Sequence, residues 1–299
     1  MAHDVAEPYA GVELGGTKCI CTLGRGPDDI RRQEVIPTTD PATTLPAIRN
    51  VLQQWYDAHG FMALGVASFG PITVDPASDR FGRMGASNKR GWKDADIVAP
   101  LRDAFPVAVA LDTDVNGAAL AEMRWGSGTG LTSFAYVTIG TGVGVGLIAN
   151  GRPATGFMHS ESGHIRVPRL PGDSFAGACA FHRDCVEGLA SGSAIAERIG
   201  GRAPADVSQD DPVWEPVVDA LAAMIHALVC TAAPQKVALG GGVMSGQPHL
   251  FGRIERALRD SLNGYIDLPP GEPYVIPPGL GAKAGPLGAI ALAIGTRQT

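Results

Sequence analysis

Cysteine and histidine side chains with the spacing of a metal site occur once in this chain. Cys179, His182 and Cys185 follow the pattern C-x-x-H-x-x-C, and His164 precedes them by a short stretch. Thiolate sulfur and imidazole nitrogen are the ligands that zinc prefers, and four of them complete a tetrahedral shell. Because a filled shell leaves no position for a reacting water, the pattern predicts a structural zinc. His159 is an alternative fourth ligand, since it is also near in the sequence.

A second group of residues combines two acids and an amide. Its members are Asp112, Thr113, Asp114, Val115 and Asn116. The group follows a short predicted strand and opens a predicted alanine-rich helix, and one of its Asp or Asn residues is expected to cap that helix. A carboxylate at the carboxyl end of a strand in an α/β protein is also where a general base would lie.

Three glycine clusters each stand at the end of a predicted strand. The first glycine turn contains Gly15, Gly16 and Thr17, the second contains Gly140, Thr141 and Gly142, and the third contains Gly240, Gly241 and Gly242. Glycine lets the backbone approach a phosphate and point N–H groups at it, and threonine adds a hydroxyl donor. One such cluster alone is typical of a hairpin turn, but three at strand ends favour a phosphate site. None matches the P-loop or the dinucleotide-binding pattern.

The elements that must position these groups alternate between strands and helices. Apolar and β-branched residues around the first two glycine turns predict two similar hairpins, and such an imperfect duplication suggests two related lobes. The predicted hairpins cover 10–23 and 134–148, the other strands 62–69, 107–111 and 236–239, and the helices 41–59, 116–125, 191–199, 212–232 and 284–296. This alternation predicts an α/β protein.

Composition argues against several classes of protein. The 299 residues are 45% hydrophobic and 18% charged, which is typical of soluble globular proteins. A net charge of −6 without a basic block argues against a nucleic-acid partner. The uncharged stretch 127–151 is rich in glycine and threonine, so it would make a poor membrane span. The cysteines suggest no disulfide framework and the N-terminus no signal peptide, so we expect a cytoplasmic protein.

Taken together, the motifs resemble those of the ROK (repressor, open reading frame, kinase) sugar kinases. The matching stretches are GGTK at 15–18, TDVNGAALAE at 113–122, TIGTGVGVGLI at 138–148, ESGH at 161–164, the Cys/His group and LGGGV at 239–243. The resemblance implies a two-lobed actin-like ATPase and sugar kinase fold, which is ribonuclease H-like, with an inserted zinc-binding loop at 159–187 (the zinc loop). The smaller α/β lobe would cover 1–118, rejoined by the last helix at 285–299, and the larger lobe 119–284.

Within this family the chain is most similar to the fructokinase subgroup. Glu13 stands where many members have aspartate, and Thr113 replaces an asparagine of the glucose-type members. The C-x-x-H-x-x-C spacing also replaces the C-x-C-G-x-x-G-C that is common elsewhere in the family. The resemblance therefore implies ATP-dependent phosphorylation of D-fructose to fructose 6-phosphate.

The family pattern also implies a role for each site residue. Asp114 would be the general base for the primary hydroxyl of the sugar. The sugar would be held by Asn88, Glu161, His164 and Glu187. ATP would lie on Gly15, Gly16, Thr17, Thr141, Gly142, Gly241 and Gly242. A structural Zn²⁺ would be bound by His164, Cys179, His182 and Cys185, and Mg²⁺ would be held through water by Glu13. Lys18 is left out because it follows the turn.

Other functions stay open at this stage. The same scaffold would suit a kinase for mannose, glucose or an N-acetylhexosamine. Sugar-responsive repressors of the family carry a helix-turn-helix domain before the kinase-like fold, and with the first predicted strand near Ala10 we do not expect a repressor. A zinc hydrolase would need an open coordination position. We expect sugar and ATP as partners and a homodimer, without nucleic acid or membrane.

Overall fold

The computed structural model describes residues 7–87, 89–270 and 272–296, and this part of the chain contains ten strands and nine α-helices. The strands are β1 (Tyr9–Leu14), β2 (Lys18–Gly26), β3 (Asp29–Pro37), β4 (Ala63–Ser68), β5 (Ala108–Thr113), β6 (Phe134–Ile139), β7 (Val143–Ala149), β8 (Arg152–Pro153), β9 (Lys236–Gly240) and β10 (Val275–Ile276). The helices are α1 (Pro41–His59), α2 (Ala99–Ala104), α3 (Asp114–Trp125), α4 (Val186–Ala190), α5 (Gly192–Arg198), α6 (Trp214–Ala232), α7 (Gly242–Gly246), α8 (Leu250–Leu262) and α9 (Ala284–Gly295).

The chain forms two compact units. The first contains the chain up to Thr129, the segment Pro153–His159 and the chain from Ala282 onward, and the second contains Gly130–Arg152 and Ser160–Gly281. The boundary expected after residue 118 falls inside α3 and is therefore misplaced. Because α3 packs along α9, the whole of α3 stays with the first unit.

The sheet of the first unit has the strand order β3-β2-β1-β4-β5. Strand β1 is antiparallel to β2 and parallel to β4, which in turn is parallel to β5. The carboxyl ends of parallel strands lie at one edge of a sheet, where α/β proteins place their ligands. The first glycine turn, which follows β1, and the acidic group, which spans the end of β5 and the start of α3, therefore share that edge.

Helix α9 is apolar on all sides and packs on β1, β4 and α3 of the first unit. Two glycines make this close packing possible. A Cβ added to Gly65 on β4 would lie 1.9 Å from the carbonyl oxygen of Ala289, and one added to Gly288 would lie 2.5 Å from the carbonyl carbon of Gly117. Side chains at these positions would push α9 away from the sheet and from α3.

The sheet of the second unit repeats the plan of the first. Its order is β10-β9-β6-β7-β8, with β6 antiparallel to β7 and parallel to β9. A hairpin with a glycine turn, flanked by a parallel strand, therefore occurs in both units. The α/β fold with two related sheets is confirmed.

One helix in the described part of the chain, α6, is long and apolar enough to cross a membrane by length and composition alone. Half of its most apolar window is buried, and it packs against α4 and α8. A buried core helix passes the same test.

Candidate active site

The first glycine turn joins β1 to β2 through a compact backbone. The Gly15 N–H donates to the carbonyl of Lys18 at 3.1 Å, and the Thr38 hydroxyl donates to the carbonyl of Gly15 at 2.8 Å. The Thr38 N–H donates to the carbonyl of Thr17 at 3.0 Å. Because Gly16 and Thr17 are exposed, a phosphate group can reach the backbone of this turn.

Glu13 lies on β1, two residues before this turn. Its Oε2 atom is buried and has no hydrogen-bond partner among the described residues. Burial, with a smaller contribution from the charge of Asp114, raises the pKa of Glu13 to about 7. A Cβ on Gly285 would lie 2.0 Å from Glu13 Oε1, so the absence of a side chain at Gly285 leaves room for the carboxylate. An orphaned carboxylate oxygen beside an exposed glycine turn fits a hydrated Mg²⁺ ion.

The two carboxylates of the acidic group, Asp112 at the end of β5 and Asp114 at the start of α3, have different burial and different hydrogen bonds. Asp112 is 7% exposed and accepts hydrogen bonds from the Thr113 N–H and from Asn116 Nδ2, both at 2.7 Å. Burial raises the pKa of Asp112. The expectation that an Asp or Asn caps α3 is wrong, because the Thr113 hydroxyl accepts from the Asn116 N–H at 3.1 Å. Asp114 is the half-buried first residue of α3, and its Oδ1 accepts from the Val115 N–H at 2.9 Å.

In the second unit, the second and third glycine turns end neighbouring strands. Strands β6 and β9 are parallel, with Thr138 paired to Gly240, so both turns lie at the same edge of the sheet. Gly241 has φ +90°, and a Cβ there would lie 2.4 Å from the carbonyl oxygen of Ile139. Both observations require glycine at this position. Gly242 opens α7, and a Cβ there would have no neighbour within 4 Å in the structure.

The start of α5 supports the second glycine turn. The Gly192 N–H donates to the carbonyl of Gly140 at 2.7 Å, and the Ser193 hydroxyl donates to the carbonyl of Thr141 at 2.8 Å. Within the turn, the Gly140 N–H donates to the carbonyl of Gly142 at 2.9 Å. These three hydrogen bonds fix the backbone of the turn.

Glu187, in the first turn of α4, reaches the second glycine turn. Its Oε2 atom accepts a hydrogen bond from the Val143 N–H at 3.2 Å. A Cβ on Gly142 would lie 2.4 Å from the same oxygen, so this approach also requires glycine. The structure thus brings a predicted sugar-binding residue against a predicted ATP-binding residue.

The predicted zinc ligands converge on one point. The ligand atoms of His164, Cys179, His182 and Cys185 all lie within 4.8 Å of one another. His164 Nδ1 is 3.7 Å from Cys179 Sγ and 3.5 Å from Cys185 Sγ. His182 Nδ1 is 3.8 Å from Cys179 Sγ. Sulfur and nitrogen ligands of a tetrahedral zinc, at about 2.3 Å and about 2.1 Å from the metal, lie about 3.6 Å apart. The observed spacing fits zinc.

Backbone hydrogen bonds hold these ligands in position. The Val186 N–H donates to the carbonyl of Ile165 at 3.0 Å, which brings the segment after His164 beside Cys185. Arg183 has φ +59°, and its N–H donates to the carbonyl of Cys179 at 2.9 Å. This tight turn allows Cys179 and Cys185 to face the same point. Burial raises the pKa of the Cys185 thiol to about 11, so a bound metal must displace its proton.

His164 has one nitrogen for the metal and one for a second partner. With Nδ1 directed at the thiols, Nε2 lies 3.9 Å from Oε2 of Glu161. A carboxylate beside the second nitrogen of a metal-bound histidine is a common arrangement. Glu161 is itself exposed, so its carboxylate can also contact a ligand.

An ion pair supports the middle of the zinc loop. The guanidinium of Arg198 binds both carboxylate oxygens of Asp173, at 2.9 and 2.8 Å, and lies 4.2 Å from the ring centroid of Phe175. The bidentate hydrogen bonds from Arg198 lower the pKa of Asp173 to about 2. This part of the loop therefore has an anchor that is independent of a metal.

The sequence also singled out His159, Lys18 and Asn88. His159 is not part of the metal cluster, so the alternative to His164 as zinc ligand is wrong. The reason is geometric, since His159 Nε2 accepts a hydrogen bond from the Ile72 N–H at 3.1 Å. Lys18 is exposed, in line with its position after the turn. Asn88 lies outside the described residues, and its role as a sugar ligand stays a prediction.

Sequence reasoning missed Lys89. The ammonium group of Lys89 donates a hydrogen bond to the carbonyl of Gly16 in the first glycine turn. No spacing rule connects two residues so far apart in the chain. The only available signal was the position of Lys89 beside Asn88, in the stretch GASNKRGW.

Comparisons with known proteins agree with this geometry. A family model described as the ROK family matches residues 9–296. A fructokinase of Pediococcus pentosaceus is 39% identical over 282 residues, which are 94% of this chain and 96% of that protein. The crystal structure of a ROK hexokinase from Thermus thermophilus has a TM-score of 0.78, 27% identity, and coverage of 97% of this chain and 99% of the other. A ROK glucokinase from Streptomyces griseus, solved with glucose and AMPPNP, has a TM-score of 0.74 at 24% identity and covers 98% of this chain and all of its own.

Proposed function

Since the chain belongs to the ROK family, we propose that it is an ATP-dependent fructokinase, which converts D-fructose to fructose 6-phosphate. The observation that carries this proposal is the identity of 39% to a fructokinase over nearly the full length of both chains. Use of ATP is supported by the glucokinase of the same fold that was solved with AMPPNP. The three glycine turns, each at a strand end, supply the backbone that a nucleotide phosphate chain needs.

In this proposal Asp114 is the general base. Its carboxylate accepts the proton of the 6-hydroxyl while that oxygen attacks the γ-phosphorus of ATP. One oxygen–phosphorus bond forms, the bond to the β-phosphate oxygen breaks, and ADP leaves. The assignment rests on the environment of the other members of the acidic group. Asp112 is buried and accepts two hydrogen bonds, and the Thr113 hydroxyl caps α3. Asp114 is the half-buried first residue of α3, at the carboxyl end of β5, where a general base of an α/β protein is expected.

Positioning and charge stabilisation supply the rest of the rate enhancement. The first and second glycine turns would hold the phosphates, and the third would lie along the adenosine. Mg²⁺, held through water by Glu13, would neutralise negative charge on the phosphates. The unpaired buried oxygen of Glu13 supports this assignment.

The sugar would be bound by Asn88, Glu161, His164 and Glu187. We assign the Zn²⁺ to His164, Cys179, His182 and Cys185, where it would shape the loop without taking part in the reaction. The distances between the ligand atoms support four protein ligands, and a full shell leaves no place for a reactive water. His164 would serve both sites, with Nδ1 on the metal and Nε2 toward the sugar.

We also propose that the protein works as a cytoplasmic homodimer. The cytoplasmic location is supported by α6, because its buried residues pack as in a core helix and not as in a membrane span. Equilibrium sedimentation would test the dimer.

A different hexose is the alternative that needs direct comparison, because the Thermus thermophilus neighbour is described as a hexokinase. A coupled assay of ADP release with fructose, glucose, mannose and N-acetylglucosamine separates the possibilities. We expect the highest kcat/KM with fructose. A higher kcat/KM with another hexose would reject the fructokinase proposal but not the kinase mechanism.

The role of Asp114 has its own test. Asp114→Asn should lower kcat by about 10²-fold or more, since a general base contributes about 10²- to 10⁴-fold. Fructose binding, measured by calorimetry, should change little because the amide keeps the shape of the carboxylate. Asp103→Asn on the exposed side of α2 is the matched control and should keep full activity. Near-normal kcat in Asp114→Asn would show that another group is the base.

A further inference from the structure

His159 is a buried histidine that the proposed function does not use. It is 3% exposed and lies outside the metal cluster. Its Nε2 atom accepts a hydrogen bond from the backbone N–H of Ile72 at 3.1 Å. In the neutral imidazole the proton is then on Nδ1.

Ile72 belongs to a short ladder of backbone hydrogen bonds, which we call the stem and which consists of residues 71–73 and 82–85. In the stem the Gly85 N–H donates to the carbonyl of Pro71 at 2.7 Å, and the Thr73 N–H donates to the carbonyl of Arg83 at 3.0 Å. Ile72 pairs with Met84 across it. His159 therefore binds the stem at its centre.

The stem leads directly into the segment proposed to contact the sugar. The chain leaves Gly85 and continues through Ser87 toward the predicted sugar ligand at position 88. On the far side of that position, the Lys89 N–H donates to the Ser87 hydroxyl at 3.1 Å, and the Lys89 ammonium donates to the carbonyl of Gly16. A displaced stem would therefore displace this segment.

Asp112 is a second titratable residue near His159. The two side chains are close enough to interact electrostatically. Asp112 in turn accepts hydrogen bonds from the Thr113 N–H and the Asn116 side chain, which shape the turn that carries Asp114. His159 thus lies between the stem and the turn of the proposed base, and all of these residues belong to the first unit.

We propose that His159 is a positioning residue for phosphoryl transfer, which holds the sugar-contacting segment in place relative to Asp114 through its hydrogen bond to Ile72. The proposal rests on the proposed function, because it assumes that Asn88, which follows the stem in the chain, binds the sugar. It predicts an effect on the sugar KM rather than on the ATP KM. The first glycine turn keeps its own anchors, since both Thr38 hydrogen bonds to it are independent of the stem.

Two isosteric substitutions separate this role from general packing. The side-chain amide of His159→Gln places its polar end near the position of Nε2, whereas that of His159→Asn reaches only the position of Nδ1. Both variants are polar and neutral, so they differ mainly in the acceptor offered to Ile72. We expect the fructose KM to rise about tenfold in His159→Asn, as for a lost hydrogen bond to a buried group, and to stay within about threefold in His159→Gln. The ATP KM should change by less than about twofold in both variants.

Hydrogen exchange of the stem is measured on the same variants without substrate. Amides of residues 71–85 should exchange faster in His159→Asn than in His159→Gln or the unsubstituted protein. Faster exchange with an unchanged fructose KM would overturn the positioning role, and so would equal KM values in the two variants. If the unsubstituted protein prefers another hexose, the same comparison is made with that sugar. If it phosphorylates no sugar, the proposed function fails and the positioning role fails with it.

Discussion

The raised pKa of Glu13 predicts that Glu13→Gln stabilises the free protein at alkaline pH. In the unfolded chain Glu13 ionises near its ordinary value of 4.5, whereas in the folded protein burial raises the pKa to about 7. The stability that the protein has while Glu13 is protonated in both states is therefore lost as the pH rises from 4.5 through 7. Glutamine removes this loss because it carries no titrating proton.

The size of the effect follows from the shift. A change from 4.5 to about 7 corresponds to about 3.5 kcal/mol of unfolding free energy at pH 8, at about 1.4 kcal/mol for each unit. About 1 kcal/mol of this is already lost at pH 5, so the stability gain from Glu13→Gln should grow by about 2.5 kcal/mol between pH 5 and pH 8. For a protein of this size that is a rise of about 5 °C in the difference between melting temperatures.

Thermal unfolding of both proteins, with EDTA and without nucleotide, measures this difference at several pH values. Glu34→Gln removes the same charge from an exposed position on the edge strand β3 and should show no such growth with pH. Glu13→Gln should also lose activity, which separates the stabilising effect from the role in catalysis. A stability gain that is constant or shrinks from pH 5 to pH 8 would refute the reasoning.

Two further predictions concern the zinc loop and helix α9. Cys185→Ser should remove about one zinc per chain by elemental analysis and raise the fructose KM, since Cys185 precedes α4 and its Glu187, whereas the exposed Cys230→Ser should do neither. An unchanged metal content or KM would contradict the assignment. Gly65→Ala should lower the unfolding free energy by about 2 kcal/mol or more, because its Cβ would lie 1.9 Å from a backbone oxygen of α9. Gly252→Ala, in open space on α8, should be neutral or slightly stabilising, and equal melting temperatures for the two glycine variants would argue against close packing at Gly65.

Local patterns predicted the elements around the glycine turns well. The helix expected over 41–59 is α1, with the same bounds, because Asp40 caps it and Gly60 ends it. The hairpins around the first two glycine turns are confirmed by β1–β2 and β6–β7. Helix α8 was missed, although its buried residues Leu250, Ile254, Leu258 and Leu262 recur at the helical spacing of four. The pattern was present in the sequence and would have predicted this helix.

In the candidate site, contacts between residues close in the sequence were predicted, and contacts between distant residues were not. The zinc ligands lie within one loop, so their spacing predicted Cys179, His182 and Cys185 and left His164 and His159 as alternatives for the fourth position. The pairing of His159 with Ile72, and of Lys89 with Gly16, joins residues that are 87 and 73 positions apart. Such contacts depend on how the sheet and its loops pack, and no local pattern encodes them. The third glycine turn was recognised from its glycine content alone. The requirement for glycine at Gly241 follows from its φ of +90°, which the sequence does not show.

The position of α9 in the chain has a consequence for synthesis on the ribosome. Strands β1 to β5 are made first, but the helix that covers β1 and β4 is made only after the entire second unit. Until α9 emerges, the apolar surface around Gly11 and Gly65 has no cover from its own chain. A nascent chain that stops short of residue 284 would present this surface to chaperones and proteases, whereas the second unit could already be folded. Synthesis of α9 would then cover this surface and complete the core of the first unit.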